Sequence, residues 1–174
     1  PRLVGVKSAI DIMTTGKPVK AEKALAIGAI DEIVDDLKSG AVAFAKKVIE
    51  NATPLKRVSK SEERVEKNSE NLEVIEQERA KWKKNSPHLN APQKIIDCVE
   101  QAVLLDYAGG MNFEQKTFQG LMDSDQSKSL IHAFFAERKS NKIPELERGA
   151  KPRPISKLGV IGGGTMGSGI TIAA

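Results

Sequence analysis

Only seven of the 174 residues are aromatic, and only one, Cys98, is a cysteine. The lone cysteine excludes an internal disulfide and suits a reducing compartment. With no clear base near it in sequence, it reads as a small apolar residue on a helix rather than a nucleophile. No run is long and apolar enough to cross a membrane. No charged segment followed by an apolar stretch opens the chain, which argues against secretion if Pro1 is the true N-terminus. Histidine is scarce too. His88 stands beside Pro87 in an expected loop and His132 lies in an apolar helical run, and no carboxylate at useful spacing orients either one, so neither is assigned to catalysis or to a metal. The charge is +4 with a pI near 9.1, yet the lysines of 59–84 are interleaved with glutamates, the pattern of a solvated helix. Lys81, Lys83 and Lys84 surround Trp82, but single-strand binding surfaces use more than one stacking ring, so no nucleic-acid partner is expected.

What is present is a sequence with 40% apolar and 29% charged residues, enough for a core in a mainly helical, solvent-rich chain. In 1–51, helix-like segments alternate with glycine stops. Residues 6–14 end before Gly16 and 20–27 end at Gly28, where a residue without a Cβ takes the left-handed conformation most easily. Residues 29–34 form a short strand-like run. Over Leu37–Glu50, the apolar residues Leu37, Ala41, Val42, Ala45, Val48 and Ile49 share a helical face that needs a partner surface. Residues 52–143 read as largely helical. A sparse stripe (Leu72, Ile75, Trp82) precedes a fuller one (Ile95, Ile96, Val99, Val103, Leu104) that starts near Pro92 and is expected to stop at Gly109-Gly110. Phe113, Phe118 and Leu121 mark a further helix, and Leu130, Ile131, Phe134 and Phe135 another, with Ser124 or Asp125 as its N-cap. Residues 91–143 are expected to be the best-ordered helical part and 157–174 a mobile one. The prolines at 144, 152 and 154 suit a stiff connector over 144–156.

The most informative stretch is Gly162-Gly163-Gly164-Thr165-Met166-Gly167. It follows an apolar, strand-like run at 157–161 and leads into a small-residue helix. The spacing is G-x-G-x-x-G. The first glycine permits the tight turn, the second lets a pyrophosphate approach the backbone, and the third allows close strand–helix packing. The phosphates would sit at the helix N-terminus, where free N–H groups and the helix dipole favour an anion. All six residues are assigned to cofactor binding, with the Thr165 hydroxyl as an added donor and Met166 mainly as packing. The acidic residue expected roughly 20 positions further on, for the adenosine ribose, lies beyond Ala174.

Two ends of the chain carry a family resemblance. Thr15-Gly16, Ala21-Glu22, Ala24 and Gly28-Ala29-Ile30-Asp31 resemble the T-G-x-x-x-x-A-x-x-A-x-x-x-G-[LI]-[VI]-D stretch near the end of the crotonase (enoyl-CoA hydratase) core, Ala29 being smaller than the usual aliphatic residue. Pro1-Arg2-Leu3-Val4-Gly5 resembles the segment just before it. Residues 157–174 resemble the first strand–turn–helix of the 3-hydroxyacyl-CoA dehydrogenases. The two occur in this order in the multifunctional fatty acid β-oxidation enzymes, joined by a helical linker that 91–100, 110–121 and 130–138 resemble, notably His132-Ala133-Phe134-Phe135-Ala136-Glu137-Arg138. The resemblance implies a mainly α chain in three parts: 1–51 as the C-terminal part of a crotonase-like hydratase domain, 52–156 as the linker, and 157–174 as the start of an NAD-binding Rossmann α/β domain.

The resemblance also implies an absence of catalytic residues. The family's two hydratase glutamates and its oxyanion-binding N–H groups precede the segment resembling 1–5, and the dehydrogenase histidine–glutamate pair follows the nucleotide turn. Glu22, Asp31 and Glu32 fall in a scaffold segment and read as solvated carboxylates. The implied parent hydrates a 2-enoyl-CoA and oxidises the 3-hydroxyacyl-CoA with NAD. Its implied partners are acyl-CoA substrates, and a thiolase β-subunit is a partner the family allows. The implied compartment is the cytoplasm, with the peroxisome as the alternative. The competing reading is an independent helical interaction module.

Overall fold

The computed structural model describes residues 1–140, 142, 143, 149, 151 and 153–174. They fall into two compact units, Pro1–Ser129 and Leu130–Ala174. Eight α-helices are described: α1 (Val6–Thr15), α2 (Ala21–Ala26), α3 (Leu37–Glu50), α4 (Ser69–Asn85), α5 (Asn90–Leu104), α6 (Tyr107–Met122), α7 (Asp125–Ser140) and α8 (Thr165–Ala173). Two 3-10 turns, Val58–Lys60 and Glu63–Val65, lie between α3 and α4. No strand is present among the described residues.

The first unit is built on α5, which packs against α1, α4 and α6 while α1 also meets α4. Its apolar residues at i, i+3 and i+7 (Ile96, Val99, Val103) bury one stripe against Val6 and Ile10 of α1, Val65, and Ile75 of α4, with Leu72, Val74 and Trp82 packed around them. Ion pairing ties the same helices together at the edge of this core. Arg79 on α4 donates to Asp97 and to Glu100 (2.8 Å) on α5 and lies 3.5 Å from Glu76. The core therefore joins 1–15 to 65–103, and α7 has no buried residue. Burial thus centres further toward the N-terminus than the expected best-ordered stretch at 91–143.

Helix α3 has the predicted bounds, and its N-cap Asp36 accepts from the Ser39 N–H at 2.9 Å. It buries no residue, however. Leu37 and Ile49 are 79% and 76% exposed, so the partner its apolar face asks for is not supplied by the described residues. Ser124 caps α7, its hydroxyl oxygen accepting from the Ser127 N–H at 3.2 Å.

Three sequence expectations differ from the structure. Residues 29–34 and 157–161 are not strands: a strand exists through hydrogen bonds to a neighbour, and no second strand lies among the described residues. Gly109-Gly110 does not end α5, which stops at Leu104. Asp106 takes the Gly109 N–H (2.8 Å) and starts α6 ahead of the glycines. A Cβ at Gly109 would lie 2.8 Å from the capping Asp106 Oδ1, so the first glycine makes room for the cap, whereas at Gly110 a Cβ would meet the Ala102 Cα at an ordinary contact distance of 3.7 Å. Much of the expected 144–156 connector, including Pro144 and Pro152, lies outside the described residues.

Candidate nucleotide-binding turn

The glycine stretch lies in the second unit and forms a tight turn into α8. Gly162 has φ +103°, a conformation that side-chain-bearing residues rarely adopt. A Cβ on Gly167 would run into the Gly162 carbonyl, so the third glycine of the pattern is what lets the helix close on the turn. Gly163 and Gly164 face open space, with nothing within 4 Å of a Cβ built on either. Gly164 is the N-cap of α8 and provides no side-chain acceptor. The first-turn N–H groups of Thr165, Met166 and Gly167 therefore have no acceptor within the helix.

The helix side of the turn is fixed by short local bonds. The Ser168 N–H donates to the Gly164 carbonyl (2.9 Å) and its hydroxyl to the Gly163 carbonyl (3.2 Å), while Thr171 Oγ1 donates to the Gly167 carbonyl (2.9 Å). A cleft of about 440 Å³ borders Gly162, Gly163 and Gly167 along with Val160, Ser168 and Thr171. The structure thus brings Gly162, Gly163 and Gly167 to the cleft. Gly164, Thr165 and Met166 are not in its lining, and Met166 is 77% exposed. Ser168 was not among the sequence-assigned residues. Its hydroxyl at the fourth helical position bonds back to the turn, a role that the glycine pattern does not specify.

The residues of the first unit on which the crotonase resemblance rests make structural contacts. Gly16 ends α1 in the left-handed conformation, its N–H donating to the Ile12 carbonyl. Gly28 has φ +80°, and the Arg64 guanidinium donates to the adjacent Ile27 carbonyl at 2.7 Å. Asp31 pairs with Lys56 at 2.9 Å on the surface. Arg2, 7% exposed, donates to the Ser61 carbonyl (2.9 Å), lies 3.8 Å from Glu62 and sits 5.5 Å from the Tyr107 ring centroid. Arg2 and Arg64 thus tie residues 2 and 27 to the turns before α4. Glu22 and Glu32 are exposed, as are His88 and His132. Among the described residues no cluster of His, Cys, Asp or Glu could hold a metal. Burial raises the pKa of the Cys98 thiol, leaving it protonated at neutral pH and a poor nucleophile.

No protein-family model matches the chain. Curated relatives do, along nearly all of it. The glyoxysomal fatty acid beta-oxidation multifunctional protein MFP-a of Cucumis sativus is 38% identical over 176 residues, covering 99% of this chain and 24% of that protein. The resemblance to the multifunctional fatty acid β-oxidation enzymes therefore holds from end to end. The human peroxisomal bifunctional enzyme is 33% identical over 178 residues, with 99% and 24% covered. The fatty acid oxidation complex subunit alpha of Shewanella frigidimarina is 37% identical over 174 residues, with 98% and 24% covered. The chain spans about a quarter of the length of these β-oxidation relatives, and it is consistent with a piece of such an enzyme.

Proposed function

We propose that this chain is the part of a multifunctional fatty acid β-oxidation enzyme that ends a crotonase-like 2-enoyl-CoA hydratase domain, supplies the helical linker, and opens an NAD-dependent 3-hydroxyacyl-CoA dehydrogenase domain. The observation that carries the reading is the turn at 162–167. A positive φ at the first glycine, open backbone at Gly163 and Gly164, and a third glycine pressed on the first fit a backbone cradle for a pyrophosphate. The sign of the charge supports it: Leu130–Ala174 contains seven lysines and arginines against three acids, which equals the whole net charge of +4.

In this reading the N–H groups of Thr165, Met166 and Gly167 hold the pyrophosphate. Thr165 adds its hydroxyl, and the glycines keep side chains out of the phosphate's path. NAD, when bound, accepts the hydride from the 3-hydroxyacyl-CoA. This chain positions the cofactor but brings no acid or base to the reaction, because the carboxylates of its hydratase-like segment are exposed or tied into scaffold contacts. The chain alone therefore catalyses neither step. The names of the plant and human relatives favour a peroxisomal or glyoxysomal parent over a cytoplasmic one. A thiolase β-subunit belongs to the same proposal as a partner of the parent.

The test is an NADH fluorescence titration of this chain beside one extended through the complete nucleotide domain. Binding is expected only by the extended form, and replacement of Gly167 by Val should abolish it. Absence of binding by both forms sinks the nucleotide assignment, and sustained hydration of crotonyl-CoA by the 174-residue chain sinks the claim that it is catalytically silent.

A further inference from the structure

A groove of about 570 Å³ lies wholly within the first unit, between α5 and α6. Its apolar lining includes Leu89, Phe113 and Leu121, each half-buried. Two lysines, Lys94 and Lys116, line the same groove, and no acidic residue is in its lining. Lys94 shares its charge with Asp97 one turn away (3.2 Å), while Lys116 makes no ion pair among the described residues. One end of the groove is held in place by Gln126, which accepts from the Asn90 N–H (2.8 Å) and donates to the His88 carbonyl. Gly120 lies in the same lining, where a Cβ would meet nothing within 4 Å.

An apolar floor beside two cations and no anion selects for a ligand with both characters. A neutral alkyl chain leaves the lysines unused, and a bare inorganic anion leaves the floor wet. We propose that the α5–α6 groove binds an amphipathic anion: an alkyl chain lying on Leu89, Phe113 and Leu121, with a terminal carboxylate paired to Lys94 and Lys116. The proposal rests on this groove alone and is independent of the nucleotide turn.

Octanoate titrated into the full chain and followed by backbone amide shifts should saturate, with the largest changes at Lys94, Lys116, Thr117 and Gly120. It should bind about tenfold more tightly than octanol, the advantage of a charge-assisted contact. The double variant Lys94→Gln/Lys116→Gln should bring acid and alcohol to equal affinity. Gly120→Leu fills the groove while favouring the α6 helix, and should weaken both ligands at least about tenfold with the circular dichroism spectrum retained. Four results would overturn the proposal: equal affinity for acid and alcohol in the unaltered chain, scattered shifts without saturation, octanoate affinity unchanged in the double variant, or inorganic phosphate binding as well as octanoate.

Discussion

The two units satisfy their backbones in different ways. In Pro1–Ser129, twenty basic residues balance twenty acids, and every residue of the hydrophobic core lies between Val6 and Val103. In Leu130–Ala174 the charge is +4, no described residue is buried, and the ordered features are short-range: the Phe134–Phe135 edge-to-face pair, Arg138 over the Phe134 ring, and the glycine turn closed by its own carbonyls and hydroxyls. A bundle needs apolar residues far apart in sequence to meet, whereas a tight glycine turn needs only the right residue at each φ. The first therefore depends on burial, and the second on glycine.

The sharpest way to break this contrast is to remove the same atoms from each unit. Ile96 is 0% exposed at the centre of the bundle, and Ile161, just before the turn, is wholly exposed. Ile96→Ala should destabilise the chain by about 2–5 kcal/mol in urea unfolding, through lost burial and the cavity left behind. Ile161→Ala should change the same midpoint by less than about 0.5 kcal/mol. Comparable losses at both sites would mean that the second unit has a core of its own.

The same contrast explains what the sequence revealed. Features set by residues a few positions apart were legible: the bounds of α3, the Ser124 cap, the Gly16 and Gly28 stops, and the turn at 162–167. Each follows from local backbone chemistry. Features that depend on distant partners were not. Gly109-Gly110 looked like a terminator because glycine weakens helices, but Asp106 starts α6 before the pair and its capping carboxylate crowds the place of a Cβ on Gly109. The runs at 29–34 and 157–161 have the composition of strands, yet composition cannot supply the neighbouring strand. Nothing in the spacing showed that Arg79 would face Asp97 and Glu100, or that Arg2 would reach Ser61, because side chains 18 and 59 positions apart meet only through the fold.

The Arg79 network gives the bundle an acid sensitivity. Partial burial pushes the Asp97 pKa up, but hydrogen bonds from Arg79 and Lys94 outweigh it and hold the carboxyl below its usual range. A carboxylate with a depressed folded-state pKa contributes stability above the unfolded value of about 3.9, and that contribution is lost as the pH falls through this value toward the folded one. Asp97→Asn should therefore cost about 1–2 kcal/mol near neutral pH, with the difference from the unaltered chain shrinking as the pH falls from about 5 toward 3. Urea midpoints measured across that range check it. A cost that does not change with pH would assign the loss to packing rather than to charge.

The smallest expected effect tests where α3 belongs. Helices α1 and α3 both end on a left-handed residue, but α1 uses Gly16 (φ +61°) and α3 uses Ala52 (φ +46°), with the Ala52 and Thr53 N–H groups donating to the Ile49 and Val48 carbonyls. An L-residue is strained there, and glycine removes the strain while losing more freedom on folding, so Ala52→Gly should stabilise the end of α3 by about 0.5–1 kcal/mol. Because α3 buries nothing, the gain should appear as slower hydrogen exchange at Ala52 and Thr53, with the global urea midpoint unchanged. A rise in the midpoint of the same size would show that α3 unfolds with the bundle, and that its exposed apolar face is held by contacts cooperative with the core.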